Sequence, residues 1–385
     1  MLKRHLLTAD VVYNGMGTPR ANGAVVIQTE GERAQIIAVE DAEVAQRNFP
    51  DVKEKRVGFA ISPPLVNAHT HLDLSYMPFT PGSYTDFIAG VVAYNPERRT
   101  KGLEAARAGL EEMRSSGVTT FGDIVTSEAV MELLLKAPDL QGVAYWEVFG
   151  PDPNSADKIF AETVEKLREF RAWERPGGVK LGLSPHTPHT VSAPLLQKLV
   201  ALAKGSNLPL QIHVAESAGE IALHKDSTGP LMEMMKRWLP HWQPSGLTPV
   251  QYLKDLGVLD AQPTLIHMVH VSEEDVREVQ RAGCVVVHCP RSNIALQCGR
   301  FPWELYMKHG VEVAFGTDSK GSSPGLSVQQ EVVAARMLHS DKASDLALVR
   351  AAVKGGYRAL SLTPPRFTRG DDAAGVYVWK ESNEQ

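Results

Sequence analysis

At 385 residues the chain exceeds the usual size of one domain, leaving two domains or one large α/β barrel with additions. An apolar fraction of 43% and a charged fraction of 22% are those of an ordinary soluble globular protein. The net charge of −5 supplies no basic field for phosphates, which argues against nucleic-acid binding, and no apolar run approaches the ~20 residues of a membrane span.

The opening stretch, MLKRHLLTADVVYNG, has two early basic residues but no long apolar core or small-residue cleavage site, so no signal peptide is expected. Within residues 1–60, DVVYNG, GAVVIQ and QIIAVE are β-branched runs separated by Gly, Asn and Glu, the pattern of short strands joined by tight turns. The tail GVYVWK, 375–380, has the same character. Chain ends often lie close together, so residues 1–58 and 366–385 are expected to pair into a small β side domain around a central unit, 59–365.

That central unit alternates. After FAISPPLVNAHTHLD, strand-like runs follow at 119–125, 142–150, 179–190, 208–217, 264–272, 284–293 and 311–319. Helix-like segments separate most of them, at 101–117, 155–174, 192–207 and 272–283, with Ser or Asp at their starts and Gly at several ends. Eight strands alternating with helices imply a parallel sheet, and eight closes a (β/α)8 TIM barrel. Residues 218–263 are too long for a simple connection and carry Pro230, Pro240, Pro244, Trp238 and Trp242, which reads as an inserted helical excursion near the barrel mouth. Cys284, Cys289 and Cys298 are odd in number and form no Cys-x-x-Cys pair, which fits reduced thiols packed as small apolar groups and a cytoplasmic protein.

Barrel chemistry sits at the C-terminal ends of the strands, and the titratable residues gather there. His69 and His71 end the first barrel strand, His186 the fourth, His213 with Glu216 the fifth, His267 the sixth, His288 the seventh and Asp318 the eighth. Residues i and i+2 of a strand share a face, so His69 and His71 can aim at one metal ion. His213 and Asp318 would complete three nitrogens and an oxygen, suited to Zn²⁺ or Fe²⁺ with one position left for water. His5, His224, His241, His309 and His339 lie in terminal or helical segments and are expected at the surface.

Together NAHTHLDLS, IHVAES, LIHMVH, VVVHCPRSN and VAFGTDS resemble the amidohydrolase superfamily over nearly the whole chain, in its order and at its strand ends. The branch they resemble is that of mononuclear-metal deaminases of aminopurines, nucleosides and triazines. Binuclear members carry a bridging carboxylated Lys, or a Glu, at the end of the fourth strand; here Lys180 stands at that strand's start and Ser184-Pro185-His186 at its end. The resemblance implies that Glu216 protonates the substrate's ring nitrogen, while Asp318 and His267 handle the proton of the attacking water. It assigns substrate contacts to His186 in preference to His189, to Glu216 and Asp318, and to Arg291 against an anionic group. Of His267 and His270, three apart, only one can face inward, and His267 is preferred.

The first-strand loop, HTHLDLSYMPFTPGSYTDFI, is similar to that of deaminases in the futalosine route to menaquinone. That implies 6-amino-6-deoxyfutalosine, an adenine nucleoside bearing a benzoate, as substrate. Deaminases of S-adenosylhomocysteine, methylthioadenosine or guanine are the rivals, with triazine or chloro-hydrolases. From other classes come a cyclic-amide hydrolase and a barrel that only binds ligand. The expected partners are one small nucleoside, one divalent ion, no nucleic acid and no membrane, with a homodimer left open.

Overall fold

The protein is described from a computed structural model covering residues 2–379, so positions 380–385 of the expected side domain lie outside the described residues. Its N-terminal third of strands forms an antiparallel meander, β1 (Leu2–Val12), β2 (Arg20–Glu30) and β3 (Arg33–Asp41). The short strands β4 (Glu54–Arg56) and β5 (Ala60–Ser62) run parallel to β1. β1 starts well before the DVVYNG run because Leu6 turns inward with Ala24 and Val26, although its first residues are charged and exposed. A second apolar layer gathers Val12, Val25, Ile36, Ile61 and Phe367. The returning tail adds β14 (Tyr377–Val378) antiparallel to β5, and Trp379, fully buried, donates its indole N–H to Ser62 Oγ at 2.8 Å.

The barrel strands follow as β6 (Val66–Thr70), β7 (Thr120–Val125), β8 (Gln141–Val148), β9 (Val179–Pro185), β10 (Gln211–Val214), β11 (Thr264–His267), β12 (Val286–His288) and β13 (Val313–Phe315). All eight expected strands are present and parallel, buried on both faces as a closed α/β barrel requires. They pair as two runs of four, β6 to β9 and β10 to β13. Single bridges join the runs, Leu183 to Leu210 on one side and Thr70 to Asp318 on the other. The second seam is reinforced by Asn67, whose amide donates to Thr317 Oγ1 at 2.8 Å and accepts from Thr317 N at 3.0 Å.

In chain order the helices begin with α1 (Ala42–Asn48) and α2 (Tyr84–Ser115). α2 starts seventeen residues before the helix expected at 101, capped by Ser83 Oγ on the Asp86 amide and passing through Pro96. The sequence of its first half, YTDFIAGVVAYNP, is β-branched and ends in Asn-Pro, which reads as a helix stop. Tertiary packing overrides it. α3 (Glu128–Leu135), α4 (Ala156–Arg171) and α5 (Ala193–Ser206) cover the next strands. The excursion after β10 is helical, with α6 (Ala218–Asp226), α7 (Gly229–Met235) and α8 (Pro249–Asp255), before α9 (Glu273–Ala282). Leu223, Leu231, Met235 and Leu239 form its own small core, with Trp238, Trp242 and the first residue of α2, Tyr84, packed against it.

Candidate active site

At the C-terminal rim of the barrel the imidazoles of His69, His71 and His213 converge. Hydrogen bonds fix the tautomers of His69 and His213. Gln211 donates its amide to Ala68 O at 3.0 Å, so its Oε1 faces His69 Nδ1 at 2.7 Å and holds the proton there. His69 Nε2 is left buried with no hydrogen-bond partner. His213 likewise donates from Nδ1 to His186 O at 3.1 Å, and its Nε2 lies 3.2 Å from His71 Nε2. Asp318 Oδ1 stands 3.5 Å from the Nε2 atoms of both His69 and His71. Three basic nitrogens and a carboxylate oxygen aimed at one point, with a buried lone pair otherwise unanswered, fit a divalent cation.

Burial, followed by the charge of His69, holds the His71 imidazole well below its ordinary range, and His213 follows for the same reasons. Burial opposes ionisation of Asp318, but the facing imidazoles outweigh it and keep its carboxyl well below the usual value. Its other oxygen accepts the hydroxyls of Ser292 at 2.7 Å and Ser322 at 2.8 Å. Asp318 holds the left-handed backbone, φ +58°, as do Ala215, His267 and Met268 at the neighbouring strand ends. Of these, Asp318 and His267 line the cavity at the mouth.

Glu216 is buried beside this set. Burial, then the charges of Asp318 and Glu220, push its carboxyl well above the usual range, which favours the neutral acid. Its Oε2 lies 3.5 Å from His267 Nε2, and Glu220 accepts from its backbone N–H at 2.9 Å. His267 receives the Asn293 amide on Nδ1 at 3.1 Å, which places its own proton on Nε2; burial lowers its pKa to about 4.

Other expected residues are distributed unevenly. His186 lines the cavity while His189 turns away toward Glu220, and His270 is bonded to Cys298 O at 2.5 Å rather than facing the site. Arg291 is not among the cavity's lining residues: its guanidinium faces Glu331 at 3.5 Å, and its backbone N–H is accepted by the same carboxylate. His288, though at a strand end, stacks on Phe301 with ring centres 4.1 Å apart and meets His339 Nε2 at 3.3 Å. His224 and His339, expected at the surface, are fully buried, because their helix faces pack inward: His224 against Trp242 and Tyr252, His339 against Trp303. Lys180 is exposed at the start of β9. All three cysteines are free and buried.

The cavity itself is narrow, about 80 Å³ in volume. Two larger concavities, one bounded by Leu103 and Asp139 and one by Arg171 and Ser361, contain none of these groups. The sequence reading missed Gln211, Glu147, Tyr84 and Arg98. Gln211 and Glu147 carried a signal, since each stands two residues from an inward side chain of its strand. Arg98 is the arginine that does line the cavity, bound through Nε and Nη2 to Asp73 at 2.9 and 2.8 Å.

Residues 60–374 match the amidohydrolase family, and the chain belongs to it. Among its relatives, the aminodeoxyfutalosine deaminase of Deinococcus radiodurans is 44% identical, covering 98% of this chain and 91% of that protein. Among solved structures, Helicobacter pylori aminofutalosine deaminase in complex with methylthio-coformycin superposes with a TM-score of 0.75 at 22% identity, over 98% of this chain and 93% of that one. An adenosine deaminase from Xanthomonas campestris with bound zinc superposes with a TM-score of 0.69 at 23% identity, over 96% and 83% of the two chains. The family fold is the TIM barrel, and its members typically bind a divalent metal.

Proposed function

We propose that this protein hydrolytically deaminates 6-amino-6-deoxyfutalosine to futalosine and ammonia, using one divalent ion in the barrel mouth. The observation that carries the chemistry is the buried Glu216 carboxyl, clustered with His267 and Asp318 beside the three imidazoles. The substrate assignment rests on the 44% identity to the Deinococcus protein. Residues 59–365 carry the reaction, with 1–58 and 366–385 as a side domain. Free buried thiols support a cytoplasmic location.

His69, His71, His213 and Asp318 would hold the ion, with zinc favoured by the Xanthomonas structure. Such an ion, when bound, lowers the pKa of a water and supplies a nucleophile near neutrality. The remaining steps belong to side chains. Glu216 gives its proton to the ring nitrogen beside the amino-bearing carbon, so that attack there does not leave a ring anion. His267, with its proton on Nε2, holds the water by donation, while Asp318 accepts the water's proton and returns one to the departing amino group, which leaves as ammonia. His186, beside His213 in the cavity lining, would contact the non-reacting part of the nucleoside.

The test is metal analysis of purified protein together with ammonia release from 6-amino-6-deoxyfutalosine, S-adenosylhomocysteine, methylthioadenosine and guanine. One ion per chain and release from the first substrate is the expected result. Release only from another compound would overturn the substrate, and no release from any would overturn the deaminase reading.

A further inference from the structure

Glu147 lines the cavity, yet the reaction above gives it no part. It stands near the C-terminal end of β8, its side chain 13% exposed, and its Oε1 is buried with no hydrogen-bond partner. His186 Nε2 lies 4.0 Å from it, beyond hydrogen-bond reach. Arg98 feels the charge of Glu147 but spends its paired N–H groups on Asp73. His186 turns its other nitrogen to Thr190 Oγ1 at 2.8 Å. An acceptor of this strength, left unanswered in a largely enclosed place, is a recognition element for a donor brought by a ligand.

The arrangement of the rim indicates which donor. Glu147 clusters with His186 and His213, at the ends of β8, β9 and β10, whereas Glu216 clusters with His267 and Asp318, at the ends of β10, β11 and β13. A purine whose ring nitrogen meets Glu216 presents the bond to its sugar on the opposite edge of the ring system, toward Glu147. We infer that Glu147 is the specificity-determining residue for the sugar: its carboxylate accepts hydrogen bonds from the vicinal hydroxyls of a ribose. Two neighbouring hydroxyls match a carboxylate's two oxygens, and the site accordingly takes ribonucleosides and discriminates against 2′- or 3′-deoxy forms. The inference rests on the nucleoside reading of the site.

The experiment compares steady-state ammonia release from an adenine ribonucleoside substrate and its 2′-deoxy and 3′-deoxy analogues, for the wild type and Glu147→Gln. Loss of a hydrogen bond to a charged group corresponds to about a tenfold to hundredfold drop in kcat/KM. The wild type should show that drop on at least one deoxy analogue, mainly through KM. Glu147→Gln should show it on the ribonucleoside but turn over the discriminated analogue as well as the wild type does. Equal wild-type rates on all three substrates would overturn the inference without any variant, as would a Glu147→Gln loss of equal size on ribo- and deoxy-substrates. Ammonia from none of them would instead remove the deaminase reading, and this inference with it.

Discussion

One amide decides the chemistry of His69. Gln211 is held by Ala68 O, so His69 must keep its proton on Nδ1 and offer Nε2 to the mouth. Glu216 is the complementary case, a carboxyl whose pKa burial raises well above the usual range. Glu216→Gln keeps the volume but has no acidic proton to give. Metal content should stay at the wild-type level while kcat falls by about 10²- to 10⁴-fold, as measured by metal analysis and ammonia release. His224 makes a separate prediction. Burial lowers its pKa to about 3, against 6.5 for the exposed group, and neither ring nitrogen has a partner. Between those values the unfolded chain binds a proton that the folded protein refuses, so stability falls as pH drops from 6.5 toward 3, by up to ~1.4 kcal/mol per pH unit. In His224→Leu that loss is removed, and the gain in Tm over wild type should grow between pH 7 and pH 5 in calorimetry. The convergence of His69, His71, His213 and Asp318 was legible in the sequence because each stands at the end of a barrel strand. His224 was not, since a helical position alone does not say which face packs.

At the scale of elements, the site depends on how closely β13 approaches β6. Gly316 makes that approach, since a Cβ placed on it would lie 2.7 Å from His69 Cβ and 3.0 Å from both His69 N and O. Backbone cannot yield as a flexible side chain does. Gly316→Ala should therefore push His69 off its Gln211 partner, reduce bound metal, and destabilise by about 1–3 kcal/mol; metal titration and thermal unfolding read both. The eight strands were readable from their apolar runs, and the excursion after β10 from its length. The first half of α2 was not, because Asn95-Pro96 signals a stop that tertiary contacts override. The cost of that misreading was functional: Tyr84 and Arg98, both cavity residues, lie in the part assigned to loop. Arg291 failed for another reason. A loop cation beside a motif looks available for an anionic ligand, whereas Glu331, forty residues away in sequence, faces it.

For the whole molecule, the side sheet and the barrel share residues rather than merely abutting. Trp379, in the tail, bonds Ser62 of β5, four residues before β6 begins, and Tyr377 reaches Ser116 O at 3.1 Å, beyond the end of α2. Replacing Trp379 with Ala should cost about 3–5 kcal/mol, seen as a lower Tm, while leaving kcat unchanged in the fraction that remains folded. Sequence alone paired the two chain ends by composition; it could not show that the pairing braces the entry to the first barrel strand.

The barrel's two seams have a mechanical consequence. A ring built from two half-hoops is as strong as its joints, and each joint here has one β-bridge and a few hydrogen bonds against the longer ladders within the halves. His69, His71 and Asp318 stand astride one joint, while His213 springs from the strand bordering the other. A cation gripped by all four would act as a rivet, so that loading the site tightens the hoop. Chelator-treated protein should then exchange the amide hydrogens of Leu183 and Asp318 faster than the metal-loaded form, with β7 and β11, each flanked within its own half, protected in both.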